Sequence, residues 1–95
     1  MKVVWRPMAD ADRESIFDYI AQDNPSAAIE LDEEFQAKAE QARQRPTLYK
    51  PGRVKGTREI VVRPNYVMVY RVEEDSDTLA VLRVLHAAQK WPPDA

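Results

Sequence analysis

The chain contains no cysteine, so neither a disulfide nor a thiolate metal site can form. It has one histidine, His86, too few for the usual transition-metal ligand sets. Its two glycines, Gly52 and Gly56, cannot build a phosphate-cradling loop. None of the serines (Ser15, Ser26, Ser76) stands in a nucleophile-elbow context. No apolar run approaches the ~20 residues needed to span a bilayer. The opening MKVVWRP lacks the apolar core of a signal peptide. A cytoplasmic protein is therefore expected, with no metal, no cofactor and no membrane contact.

What is present fits one domain, residues 1–95. The net charge of −2 argues against a general nucleic-acid coat, but the charge is unevenly spread. Residues 1–45 hold ten acids against six bases, and residues 46–95 hold eight bases against six acids. Within 46–72 only Glu59 opposes Lys50, Arg53, Lys55, Arg58, Arg63 and Arg71, a local charge of +5. Such a zone can meet an anionic target, or it can be a solvated strand face.

The hydropathy pattern predicts an α+β fold. Lys2 to Trp5 alternates as a short strand, and Pro7 ends it. A helical hairpin follows over about 9–45. Ala9, Ile16, Phe17 and Ile20 mark one apolar stripe; Ala28, Leu31, Phe35, Ala39 and Ala42 mark the other. Asn24-Pro25 punctuates the two as cap and first helical residue. Glu33 and Glu34 read as a solvated face. After a loop from Pro46 to Gly56, three strand patterns (57–63, 66–72 and 78–86) joined by short turns predict an antiparallel meander. The basic loop and meander thus span about 46–86, and the tail 87–95 reads as irregular. Strict alternation puts Leu79, Val81, Arg83 and Leu85 on one face of the last strand, with Ala80, Leu82 and Val84 on the other. Both faces of the meander are apolar, and one hairpin covers one face. A second cover is expected: a partner chain, a second copy, or the chain's own tail and long loop.

The residues that could carry chemistry are mostly cations. Metal-free RNA cleavage requires a base, an acid and cations around the phosphorane. His86 is the obvious proton donor near neutral pH, unless it merely caps the strand end. Arg83, Arg63, Lys55 and Arg53 would be the cations. Glu59 is the one carboxylate in the basic zone, as a base or as a salt-bridge partner. A protein target would instead be held by Arg58, Arg63, Arg83, His86, Gln89 and Trp91, residue types favoured at interfaces.

Three strings, GRVKGTREIV (52–61), PNYVMVYRV (64–72) and VLHAAQKWP (84–92), set in the order strand, hairpin and meander, resemble the RelE/ParE superfamily of type II toxins. The ParE branch is the most similar. The resemblance implies a toxin silenced by a small cognate antitoxin, with operator DNA reached only through that antitoxin. It also implies one of two targets: DNA gyrase for ParE-like chains, or mRNA on the ribosome for RelE-like ones. Arg53, Lys55 and Arg63 match basic positions of the ribonuclease branch. Where that branch carries an arginine after the last strand, this chain reads HAAQ (86–89). The ribonucleases' C-terminal tyrosine is missing, with Trp91 nearby, and a loop glutamate used as a base in some relatives is Gly52. Gln89 replaces an arginine common in ParE-like chains. The gyrase-type toxin is thus the expected function, tied to plasmid stabilization, and the ribosome-dependent endoribonuclease its alternative. A non-toxic module that only binds the antitoxin is a third possibility.

Overall fold

The computed structural model describes residues 1–93. Strand β1 (Lys2–Trp5) leads into helices α1 (Pro7–Ala21) and α2 (Pro25–Gln44), then strands β2 (Arg58–Arg63), β3 (Tyr66–Glu73) and β4 (Thr78–His86). The strands form one sheet in the order β1-β4-β3-β2. The meander is antiparallel, as the short turns require. β1 joins it in parallel beside β4, with Lys2 opposite Thr78 and Trp5 opposite Val81. The sheet is therefore mixed. Alternation alone reveals a strand but not its direction or its neighbour.

Local chemistry sets the helix ends. Pro7 opens α1 at its first turn as well as ending the extended run. Asn24 caps α2, its side chain accepting from the Ala27 amide at 3.1 Å, with Pro25 in the first turn. The predicted stripe Ala28, Leu31, Phe35, Ala39 and Ala42 is buried. Leu31, Phe35, Ala39 and Ala42 of that stripe pack on Ile60, Val62, Met68, Tyr70, Leu79, Val81 and Val84 from the sheet. The Phe35 ring meets Tyr66 edge-on at 5.8 Å, and the Tyr70 hydroxyl donates to the Pro46 carbonyl at 2.5 Å.

β4 departs from strict alternation. Val69 lies opposite Arg83 and Tyr70 opposite Val81, which leaves Leu82 as an extra residue. Such a bulge reverses the side-chain parity beyond it. Leu79 and Val81 consequently share the helix-side core with Val84, not with Leu85.

The bulge also changes the other face. Val69, Ala80 and Leu85 are closed off from water within the single chain. Among the strongly exposed large apolar residues only Val61 belongs to that face. The expected bare side is therefore narrow. Part of the reason is the long loop: Gly52 and Arg53 lie against the carboxylate of Glu59, the register partner of Val69.

Replacing Phe35 with alanine empties the centre of the core and is expected to cost about 3–5 kcal/mol. Tyr19, 75% exposed on α1, tolerates the same change within about 0.5 kcal/mol. Urea denaturation of both variants checks the contrast.

Candidate target-binding surface

β1 reaches only as far as Val81, so among the described residues no strand lies beside the last five residues of β4 on that edge. The Arg6 amide makes the final ladder bond, to the Val81 carbonyl at 3.0 Å. α1 takes over from there. One Asp12 carboxylate oxygen accepts the Val84 amide at 2.8 Å and Arg83 Nε at 2.8 Å. The other accepts from the second guanidinium nitrogen at 3.0 Å. Both side chains are largely buried, Arg83 13% and Asp12 17% exposed. The hydrogen bonds that Arg83 donates to Asp12 raise the Arg83 pKa above its ordinary value. Arg83 is thus a clamped structural cation, and its two-point face is not open to a phosphorane as drawn from the sequence. Its guanidinium also lies 5.5 Å from the Trp91 ring centroid, near the outer limit of a cation–π contact.

His86 ends β4 and is exposed. Its ring stands edge-on to Tyr66 at 5.6 Å, and its Nδ1 accepts from the Ala88 amide at 3.2 Å. That bond places the proton of the neutral ring on Nε2. The Gln89 amide returns to the His86 carbonyl at 2.8 Å and turns the chain into the tail. His86 and Gln89 share a small hollow with Asp12, Ser15, Ile16 and Val84. The Trp91 indole N–H is buried without an acceptor among the described residues.

Tyr66 is the residue that sequence reasoning missed. It lies opposite Arg63 on one side and His86 on the other, so the three form a row across one end of the sheet. Arg63 is anchored there by Glu34 of α2 at 2.7 Å, a hydrogen bond that raises its pKa. Glu34 is therefore more than a solvated carboxylate. The signal was the alternation itself, once the register was known.

The remaining candidates stand elsewhere. Arg58 begins β2, five residues from Arg63, or about 17 Å at strand spacing. The six target-binding candidates therefore do not form one patch: Arg63 and His86 share the end row with Tyr66, Gln89 and Trp91 follow His86 into the tail, Arg83 lies farther along β4 in the row of Glu59 and Val69, and Arg58 stands in the next row on the far side of β3. Arg53 and Lys55 sit in the long loop near Arg58, so the five ribonuclease candidates are divided as well. Glu59, 5% exposed, binds the Arg53 amide at 2.7 Å and its Nε at 3.2 Å. Burial pushes the Glu59 carboxyl up, but the Arg53 bonds and the charges of Arg53 and Lys50 outweigh it and hold the group below its ordinary value. It is a salt-bridge partner held ionised, not an accessible base. A Cβ on Gly52 would stand 2.3 Å from the Thr57 hydroxyl and 3.2 Å from Glu59, so glycine lets the loop close there.

Two helices on a mixed four-stranded sheet, with charged groups at both sheet ends, define a small α+β domain of the RelE/ParE kind. The family model described as "ParE toxin of type II toxin-antitoxin system, parDE" matches residues 3–91. The chain belongs to that family and is a toxin of the type II toxin–antitoxin class. It is 32% identical to "Putative toxin Y4kP" of Sinorhizobium fredii over 96% of this chain and 93% of that one. Solved structures share the fold. The chromosomal ParDE toxin–antitoxin system of P. aeruginosa superposes with a TM-score of 0.79 at 20% identity, covering 90% of this chain and 95% of that one. The YoeB/ParE toxin of Agrobacterium tumefaciens gives 0.68 at 20% identity, covering 90% and 98%. The RelBE2 toxin–antitoxin complex of Mycobacterium tuberculosis gives 0.56 at 25% identity, covering 90% and 95%.

Asp12→Ala strands the buried Arg83 charge and the Val84 amide together, and is expected to cost about 3 kcal/mol in denaturant titrations. Glu59 sets part of the acid limb. Its folded pKa lies below the unfolded one, so its stabilisation is full above about pH 4.5 and fades as pH falls through the folded value. Glu59→Gln should be less stable than wild type at neutral pH and lose less stability on acidification. Thermal midpoints across the acid range test both signs.

Proposed function

We propose that this chain arrests growth by binding DNA gyrase and trapping it on cleaved DNA, and that a cognate antitoxin holds it silent. The observation that carries this reading is the failure of the ribonuclease groups to converge. Acid–base cleavage needs its proton-transfer groups within hydrogen-bond reach of one substrate. Here Glu59 is locked on Arg53, Arg83 is spent on Asp12, and His86 stands at the opposite end of the sheet from Arg53 and Lys55. What remains is a preformed binding surface of Arg63, Tyr66, His86, Gln89 and Trp91, positioned by the Arg83 clamp. Arginine, tyrosine and tryptophan are the types that concentrate interface energy.

The family match supports the ParE-type target. The ParDE and RelBE2 neighbours are toxin–antitoxin assemblies, which supports a cognate antitoxin here and contact with operator DNA only through it. Arg58 contributes separately, from the other end of β2.

Purified protein added to gyrase, ATP and relaxed plasmid should block supercoiling and accumulate cleaved complex, and His86→Ala with Trp91→Ala should weaken both. Unchanged supercoiling with no cleaved complex rejects the proposal. One feature favours the ribosome-dependent endoribonuclease instead: the Arg63–Tyr66–His86 row puts a cation, a phenol and an imidazole side by side. That alternative requires cell-free translation to stop through mRNA cleavage while gyrase works normally.

A further inference from the structure

His86 makes a hydrogen bond that depends on its own charge. The ring Nδ1 accepts from the Ala88 amide at 3.2 Å. A neutral imidazole has one accepting nitrogen; a protonated one has none, because both nitrogens then donate. In the imidazolium the Nδ1 proton faces the Ala88 proton, and the bond becomes an opposition of two donors. Histidine is the side chain whose charge changes between about pH 5 and 8.

The bond lies at the root of the tail. Two others hold the same turn: the Ala87 amide donates to the Asn65 carbonyl at 2.8 Å, and the Gln89 amide to the His86 carbonyl at 2.8 Å. Two residues farther on, Trp91 lies toward Arg83 with its indole N–H buried and without an acceptor among the described residues. A buried donor left unpaired opposes the seat that buries it. The closed tail gains at the ring and loses at the indole, so a single bond in the turn weighs on its balance.

The surroundings offer the imidazolium no better partner. The charged and titratable groups about it are Asp12 across the hollow on α1, Arg83 earlier on β4, Tyr66 on β3 with Arg63 beyond it, and Lys90 along the tail. Asp12 is the carboxylate of this set, and Arg83 and the Val84 amide already take both its oxygens.

We propose that His86 is a proton-operated latch on the tail. The neutral ring closes the turn and seats Trp91; the protonated ring releases the tail and takes Gln89 and Trp91 out of the target-binding surface. The effect on target binding rests on the gyrase reading above; the latch itself does not.

The test is NMR hydrogen exchange of the Trp91 indole N–H, expressed as a protection factor at about pH 8 and about pH 5.5. The Trp5 indole of β1 is the internal reference. Wild type should lose protection roughly fivefold at the lower pH, as one lost hydrogen bond requires, while Trp5 keeps its value. His86→Asn carries no charge at either pH, and its side-chain oxygen can accept the amide two residues on, so it should stay protected at both. His86→Lys should show the low value at both. Equal protection of wild-type Trp91 at the two pH values overturns the latch. An equal acid loss in His86→Asn also overturns it, by placing the titration on the Asp12–Arg83 pair. Affinity for immobilised gyrase separates the two claims. Trp91→Ala should cost roughly fivefold at the higher pH, one bond's worth, and nothing at the lower. A cost unchanged with pH, beside exchange that shows release, rejects the regulation and keeps the latch. Wild type that fails to bind gyrase at the higher pH rejects the gyrase reading, and the exchange result then decides the latch by itself.

Discussion

One carboxylate closes the sheet. β4 outruns β1 by five residues, and an unpaired strand edge is both costly and sticky. Asp12 reaches from α1 to take the Val84 amide and holds Arg83 with the same group. Everything beyond depends on that bond set. It fixes the bulged half of β4, and so the position of His86, the turn at Gln89 and the tail that brings Trp91 toward Arg83. A helix side chain does here what a neighbouring strand would otherwise do.

The same logic recurs in the other charged groups. Arg13 bonds Asp32 through two nitrogens at 2.9 and 2.8 Å and joins the helices of the hairpin. It also lies over the Trp5 ring at 4.2 Å, tying β1 to the hairpin. Arg63 and Glu34 join β2 to α2, and Arg53 and Glu59 fasten the long loop to the sheet. Most of the arginines in the basic zone are therefore fasteners first. The local excess of +5 in the sequence overstates the free positive charge, and Arg58 is the clearest remainder.

Much of the architecture was legible without coordinates because it rests on periodicity and local caps. The Phe35 stripe, the Asn24-Pro25 start of α2 and the three-strand meander all follow from which residues recur at helical or strand spacing. Three things were not legible. The parallel seat of β1 depends on which edge is free, and no local signal encodes that. The bulge at Leu82 leaves no compositional mark, so strict alternation placed Val84 and Leu85 on the wrong sides. Asp12 and Glu34 look like any exposed helical acid, because a pattern of wet and dry faces does not say which carboxylate will meet an arginine from a distant strand. The site suffered most from this. Its residues were named singly, but their division among separate rows of the sheet, and the place of Tyr66 between Arg63 and His86, required the register.

The most direct measurement is amide hydrogen exchange at Val84. A carboxylate that replaces a missing strand makes this amide exchange as slowly as those of β3, and Asp12→Asn leaves it partly protected. Exchange of the wild-type Val84 amide at the rate of an unbonded loop amide would contradict the central role given to Asp12.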